Sequence, residues 1–337
     1  MKNFVLAIRN HLLLILTIFS LLGALIAPGK YAPDAPLDSE NCKLNFAAVS
    51  DLHFDAYDEN ALYAFGSEFA ASAILPGFEE MDERLDAVVF TGDITDHGYE
   101  NQWVKAEEVL TSYDLADNII LAAGNHDTWT DGKGDKTFRE LFTEYGSRIM
   151  GEEAEDIYFT REINGYTFIV ICSEGDDTSG YFSDEQISWL ESELAKAAEK
   201  DLPIFVISHW PINETHGLPE IWGNKNYDEN TGGMGEQSAR IEKALKEYDN
   251  VFLISGHIHL GLSNADDMAK TGYQTLESDG SFHSLNLPRF NAFNKGGNFM
   301  VGTGYTVEVY DDEVVFRARN FLTNNWLPEY DYTIALV

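Results

Sequence analysis

Five short clusters of polar side chains stand at the ends of apolar runs in this 337-residue sequence. They are Asp51-Leu52-His53, Gly92-Asp93, Gly124-Asn125-His126-Asp127, Ser208-His209-Trp210-Pro211 and Gly256-His257-Ile258-His259. Carboxylate, imidazole and amide groups suit Mn, Fe or Zn as ligands, and the clusters contain no thiolate. Two such cations about 3.5 to 4 Å apart can ionise a shared water and stabilise an in-line displacement at phosphorus. The residue types therefore favour a two-metal hydrolytic centre.

The apolar runs before these clusters predict the strands that must position them. The predicted strands are residues 44–50, 87–91, 119–123, 167–172, 204–208 and 251–255. Amphipathic stretches between them predict helices at residues 60–74, 101–112, 137–145, 183–198 and 236–248. The fourth helix opens with Ser183-Asp184-Glu185-Gln186, a capping-box pattern in which Gln186 can bond back to the first turn. This alternation indicates an α/β fold, and ligands gather at the carboxyl ends of strands in such folds.

The pattern changes after Gly261 to alternating strands and turns. Residues 305–310 and 314–319 flank an Asp311-Asp312 turn, which predicts an antiparallel hairpin. A sandwich of two mixed sheets flanked by helices accommodates both halves of the chain.

In this order, the clusters resemble those of the calcineurin-like metallophosphoesterase family, over residues 44–262 and with the later hairpin as part of the second sheet. The resemblance implies a four-layer α/β/β/α sandwich, the metallo-dependent phosphatase fold. It also implies two divalent metal ions, a metal-bridging hydroxide as the nucleophile and seven ligands. The ligands are Asp51, His53 and His259 at one metal, Asp93 as the bridge, and Asn125, His209 and His257 at the other.

The resemblance also implies catalytic roles for two residues that are not ligands. His126 is expected to face the scissile ester, where it stabilises the transition state or protonates the leaving oxygen. Asp96 is expected to orient that imidazole and raise its basicity. Protein phosphatases of the family have Arg where His97 stands, and purple acid phosphatases have a Tyr ligand in place of Asp96. The remaining pattern is closest to the cyclic-nucleotide phosphodiesterase-like and general phosphoesterase branches.

The N-terminus reads as a membrane-directed segment. Lys2 and Arg9 precede an uncharged apolar run over residues 12–27, which predicts a signal peptide or an N-terminal membrane anchor within residues 1–27. As a helix the run would reach about 24 Å, somewhat short of a hydrocarbon core of about 30 Å, so its length leaves both alternatives open. No clean cleavage site follows, which favours the anchor. Residues 28–41 are then a linker, residues 42–337 the metallophosphoesterase domain, and the domain is expected outside the cytoplasm.

The formal net charge of −35 excludes a broadly basic surface. Nucleic-acid polymers and anionic membranes are therefore not expected as partners of the domain, whereas a small phosphate ester can be captured by bound metals. A membrane contact is expected only through the N-terminal segment if it is not cleaved, and no protein partner is indicated. The alternative function is a surface sensor or scaffold that binds metals without turnover.

Three further features stay open at this stage. The Gly- and Asn-rich stretch 213–235, which includes His216, is predicted to form a flap over the metals. The run Arg289-Phe290-Asn291 fits either a loop between sheets or an approach to a leaving group. Cys42 and Cys172 could pair in an oxidising compartment, although a buried free thiol is the commoner outcome for a cysteine in an apolar run.

Overall fold

Two mixed β-sheets form the centre of the protein. The computed structural model describes residues 40–337 except 59, 82, 130–133, 176–177, 223–228 and 297–299. Helices flank both sheets, so the predicted α/β architecture and four-layer sandwich are confirmed.

The first sheet combines a parallel half with an antiparallel half. Its strands are β1 (Leu44–Val49), β2 (Ala87–Phe90), β3 (Asn118–Leu121), β10 (Thr303–Val309), β11 (Glu313–Asn320), β12 (Asn325–Trp326) and β13 (Tyr332–Ala335). Their order is β12-β11-β10-β1-β2-β3, and β13 also pairs with β11. The predicted hairpin forms β10 and β11, and it pairs with β1 in this sheet, so the expectation that it belongs to the second sheet is wrong. Strands β1, β2 and β3 are parallel, with Val88 opposite both Ala47 and Ile119. The polar clusters that follow these three strands therefore meet at one edge.

The second sheet has a parallel core between two antiparallel edges. Its strands are β4 (Phe159–Ile163), β5 (Tyr166–Val170), β6 (Ile204–Ile207), β7 (Val251–Ser255), β8 (Leu276–Asp279) and β9 (Phe282–Asn286). Their order is β4-β5-β6-β7-β9-β8, and β5, β6, β7 and β9 are mutually parallel. The sequence predicted three of these strands and missed β4, β8 and β9.

The helices follow the predicted alternation with small shifts in their ends. They are α1 (Ala61–Ile74), α2 (Pro76–Glu79), α3 (Glu100–Leu110), α4 (Asn125–Thr128), α5 (Phe138–Leu141), α6 (Ser147–Met150), α7 (Asp184–Ala198), α8 (Ser238–Leu245) and α9 (Ala265–Thr271). A π-helical segment, Phe142–Gly146, joins α5 to α6, so the helix predicted at 137–145 extends further. Three 3₁₀ turns lie at Glu220–Trp222, Gly235–Gln237 and Pro328–Tyr330. Helices α2, α4 and α9 were not predicted.

Helix α7 shows how a flanking helix is attached to its sheet. Ser183 caps it as predicted, because its hydroxyl accepts from the amide of Gln186. The Gln186 side chain instead bonds both ways to the backbone of Cys172, with distances of 3.0 and 2.8 Å. This pair fixes the helix against the loop that follows β5. Cys172 and Cys42 are both free thiols.

The two sheets pack through aromatic side chains. The Phe46 ring of β1 lies 5.2 Å from Phe168 and 5.0 Å from Phe205, edge to face in both cases. Phe252 of β7 meets Phe316 of β11 at 5.7 Å. Burial of such rings is a major source of folding free energy and fixes one sheet against the other.

The described helices include none long and apolar enough to cross a membrane. The apolar run at 12–27 and the linker at 28–39 lie outside the described residues. The signal peptide or anchor and the extracytoplasmic location therefore stay predictions.

A buried carboxylate ties the loop after β2 to the loop after β3. Asp127 is fully buried and accepts hydrogen bonds from the amides of Ile94 at 3.1 Å, Thr95 at 2.7 Å and Gly124 at 2.8 Å. The Thr95 hydroxyl donates a fourth bond at 2.7 Å. One side chain thus sets the distance between the segments that carry Asp93 and Asn125.

Replacing Asp127 with Ala would leave these buried donors without a partner. We expect the free energy of unfolding to fall by about 2 to 4 kcal/mol in urea denaturation, since each unsatisfied buried group is costly. Asp117→Ala, which removes an exposed carboxylate paired with Arg84, is the control and should change stability far less. Equal losses in the two variants would contradict the role of Asp127 as a clamp.

Candidate metal centre

The predicted ligands converge from the carboxyl ends of strands in both sheets. Strand β1 is followed by Asp51 and His53, β2 by Asp93, β3 by Asn125, β6 by His209, and β7 by His257 and His259. All seven side chains are buried. The edge formed by the carboxyl ends of the strands therefore collects two carboxylates, four imidazoles and an amide.

One group of ligand atoms comprises Asp51, His53, Asp93 and His259. One atom from each lies within 4.8 Å of the others. The Nε2 atoms of His53 and His259 are 3.1 Å apart, and His259 Nε2 is 2.7 Å from Asp51 Oδ1. Imidazole nitrogens and carboxylate oxygens that point at one spot form a plausible cation ligand set.

A second group comprises Asp93, His209 and His257. His209 Nε2 lies 3.3 Å from Asp93 Oδ2 and 3.1 Å from His257 Nδ1. Asp93 belongs to both groups, as a bridging carboxylate must. Asn125 begins the turn whose next amide, that of His126, donates to Asp93 Oδ1 at 2.9 Å.

Two buried oxygens test whether the site fits cations. Asn125 Oδ1 and Asp93 Oδ2 are buried and accept no hydrogen bond from the described residues. An unsatisfied buried acceptor costs about 1 to 3 kcal/mol, and such atoms are rare in native proteins. A divalent cation would satisfy both, and the oxygen and nitrogen donors suit Mn, Fe or Zn. The residues present fit the two cations that the sequence predicted.

Most of the ligands are held in a backbone conformation that side chains seldom adopt. Asp51, His53, Asp93, His257 and His259 have φ between 50° and 74°. Residues other than glycine rarely occupy this region, and such strain is concentrated at functional sites. The sharp turns aim side chains that are two residues apart, such as Asp51 and His53, into one small volume.

Two glycines permit the close approach of neighbouring loops. A methyl group at Gly92, where φ is +105°, would lie 2.7 Å from His209 Nδ1. A methyl group at Gly256 would clash with Ser50 and lie 2.7 Å from Asp51 Oδ2. Any side chain at these positions would push ligands apart, which explains the glycine that precedes Asp93 and His257.

The electrostatics show how strongly the buried groups interact. Burial alone would raise the pKa of Asp93, but the charges of His209 and His126 hold it well below its usual range. Burial would lower the pKa of His209, yet Asp93 raises it to about 9. Burial and the charge of His209 lower the pKa of His257 to about 3. Without cations, a proton on His209 neutralises part of the carboxylate charge; bound cations would displace it.

Asp96 contacts His126 through its backbone carbonyl rather than through its carboxylate. Its Nδ1 lies 2.7 Å from the backbone carbonyl of Asp96, whereas the Asp96 carboxylate is 3.8 Å away. That carboxylate instead faces His53 Nδ1 at 3.3 Å and His97 Nδ1 at 3.0 Å. Burial lowers the pKa of His126, and the opposing effects of the Asp93 charge and of the Asp96 charge and carbonyl do not offset it. Asp96 thus places His126 through its backbone and a predicted metal ligand through its side chain.

The sequence did not reveal the positions of Trp129 and His216 relative to the site. The Trp129 ring lies 4.3 Å from the His126 ring and supports it from the side; its nearness in sequence was the available signal. His216 does not reach the metals, since its ring contacts the Ser284 hydroxyl at 3.0 Å and the Gln274 carbonyl at 2.8 Å. These contacts fix the start of the 213–235 insertion to the second sheet. Residues 223–228 lie outside the described part, so the flap stays a prediction.

Comparisons with known proteins agree with this geometry. Residues 44–261 match the calcineurin-like phosphoesterase family. The chain is 28% identical to a probable cyclic nucleotide phosphodiesterase of Rhodococcus erythropolis, over 63% of each chain. It is also 28% identical to a glycerophosphodiester phosphodiesterase, GpdQ, of Enterobacter lignolyticus, over 63% of this chain and 70% of that protein. The match thus spans less than two thirds of the first relative's length.

The fold agrees with that of a dimetal phosphatase of Danio rerio. The two superpose with a TM-score of 0.54 over 88% of this chain and 100% of the other, at 16% identity. At that identity the likeness is one of fold. The family match covers most of the described domain and contains all seven predicted ligands. The chain therefore belongs to the calcineurin-like phosphoesterase family.

Proposed function

We propose that the protein hydrolyses small phosphate esters at a dimetal centre formed by Asp51, His53, Asp93, Asn125, His209, His257 and His259. The observation that carries this proposal is the position of Asp93, whose carboxylate belongs to both groups of converging ligand atoms. A shared carboxylate holds two cations near enough to act on one phosphate. Family membership and the phosphodiesterase names of two relatives support the reaction class.

Divalent cations supply Lewis-acid polarisation of the phosphoryl group and make water nucleophilic at neutral pH. The protein's own contribution is to fix the ligands and exclude bulk water, since all seven are buried. The strained turns and the Asp127 clamp hold these side chains before substrate arrives.

His126 is the residue assigned to the leaving group. A carbonyl only accepts hydrogen bonds, so the Asp96 carbonyl requires a proton on His126 Nδ1. The Nε2 atom then faces the ligand cluster, 4.0 Å from Asp93 Oδ2. From there, Nε2 donates to a phosphoryl or leaving oxygen only when the ring carries both protons. A phosphate in the cleft would favour that charged form.

Relatives that act on diesters favour a phosphodiester over a phosphomonoester for this chain. A catalytic domain outside the cytoplasm, held by the N-terminal segment, makes an external or envelope ester the proposed substrate. Hydrolysis of p-nitrophenyl phosphate and its bis-ester, with Mn, Zn or Fe added, separates monoesterase from diesterase. Failure with every metal would favour the sensor or scaffold.

Replacing Asp93 with Asn should abolish hydrolysis and weaken the binding of at least one metal, because a neutral amide cannot bridge two cations as a carboxylate does. The bis-ester assay and elemental analysis of the purified protein measure the two effects. Asp117→Asn on the surface is the matched control. Full turnover in the Asp93 variant would rule out the mechanism.

Replacing His126 with Ala should leave both metals bound while kcat falls by about two to four orders of magnitude. The residue touches the substrate side of the centre and is not among the proposed ligands. Metal content and kcat are measured on the same preparation. Loss of metal in parallel with activity would show that His126 acts as a ligand instead.

Replacing Asp96 with Ala should weaken one metal by about tenfold to a hundredfold, because His53 loses the carboxylate that orients its Nδ1. Manganese titration by calorimetry gives the affinity, and Asp96→Asn should lose less because it keeps an oxygen that can face His53 Nδ1. His97→Ala removes only the outer partner of Asp96 and is the control. If metal affinity is unchanged in Asp96→Ala, the contact between Asp96 and His53 does not contribute to metal binding.

A further inference from the structure

Arg289 is brought to the metal centre by the backbone of the loop that follows β9. Residue 289 forms a parallel bridge with Ser50, and the amide of Phe290 donates to the Ser50 carbonyl at 3.0 Å. The Asn291 side chain donates to the Leu52 carbonyl at 2.9 Å. These contacts place Arg289 beside the turn that carries Asp51 and His53. The segment is also a loop between the two sheets, since it joins β9 to β10.

The guanidinium is buried at its inner end without being satisfied. Arg289 is partly exposed as a residue, yet its Nε atom is buried and donates to none of the described residues. A buried charged donor without an acceptor is costly, and arginine side chains of this kind are normally paired. The side chain therefore has unused donor capacity at the edge of the site.

The charge of Arg289 interacts with the carboxylates of the metal centre. Burial lowers the pKa of Arg289, and the carboxylates of Asp96, Asp51 and Asp93 oppose this. Two bound cations would repel a guanidinium in this place. A phosphoryl group between them would attract both.

We infer that Arg289 binds a nonbridging oxygen of the substrate's phosphoryl group, beside the Asp51 and His53 ligands. The inference rests on the proposed function and names a residue that recognises the substrate's anionic group. A guanidinium fork suits phosphate because it can donate two parallel hydrogen bonds. Binding of the ester would satisfy the Nε donor and balance the excess positive charge of the loaded centre.

The test measures binding of inorganic phosphate to the full chain loaded with Mn²⁺, by calorimetry. Arg289→Gln should weaken phosphate about tenfold to a hundredfold, the loss of a charge-assisted hydrogen bond, with an unchanged metal content. Arg289→Lys should recover part of the affinity because it keeps the charge but not the fork. Arg240→Gln, which removes a surface arginine paired with Asp184, is the control and should bind phosphate normally.

The KM for the bis-ester should rise in Arg289→Gln by a similar factor. Unchanged phosphate affinity in this variant would overturn the inference. Loss of manganese from it would also do so, because Arg289 would then act as a counter-ion of the resting ligands. If the unaltered protein turns over esters while Arg289→Gln binds phosphate normally, the inference about Arg289 is rejected and the proposed function is kept. Absence of both metal binding and turnover in the unaltered protein would reject the proposed function together with this inference.

Discussion

The confinement of Asp51 and Asp93 around one imidazole is the constraint on which the rest of the structure depends. His53 Nε2 is 3.7 Å from Asp51 Oδ1 and 3.6 Å from Asp93 Oδ2, and all three side chains are buried. Buried like charges this close are unfavourable unless positive charge lies between them. Protons on imidazoles supply part of that charge, and divalent cations supply more. The architecture of the protein is the means of keeping these groups together.

Both sheets hold the predicted ligands close together. The first sheet supplies the two carboxylates, His53 and Asn125 from three adjacent parallel strands, and the second supplies three histidines from β6 and β7. Aromatic packing between the sheets opposes any separation of the two ligand sets. The strained turns at the ligands are tolerated because regular, fully buried strands precede them. This scaffold holds the polar side chains of the site in place before a substrate binds.

Asp96 contacts both a predicted metal ligand and the histidine proposed to act on the leaving group. Its carboxylate faces His53, a proposed ligand, and its carbonyl holds the Nδ1 proton of His126. A movement of this one residue would alter both the direction of His53 and the position of His126 Nε2.

The sequence by itself determined the ligand types, their order and most of the strands that carry them. A change from apolar to polar residues at the end of a buried strand is a local signal that the sequence shows directly. Asp51 and His53 both follow the same predicted strand, so the sequence already places them near each other. The weakly patterned edge strands β4 and β8 escaped notice because each is half exposed. Their existence depends on pairing with distant partners rather than on local periodicity.

Only the tertiary structure decided which contacts the polar side chains make. Asp96 could have turned to His126, and Gln186 could have closed its own helix, since sequence spacing allows both. Their actual partners, His53 and Cys172, were selected by how the loops pack. His216, with no sequence feature to distinguish it from a ligand, is satisfied by the second sheet instead. Hydrogen bonds between distant loops depend on positions set by the whole core, which no local pattern encodes.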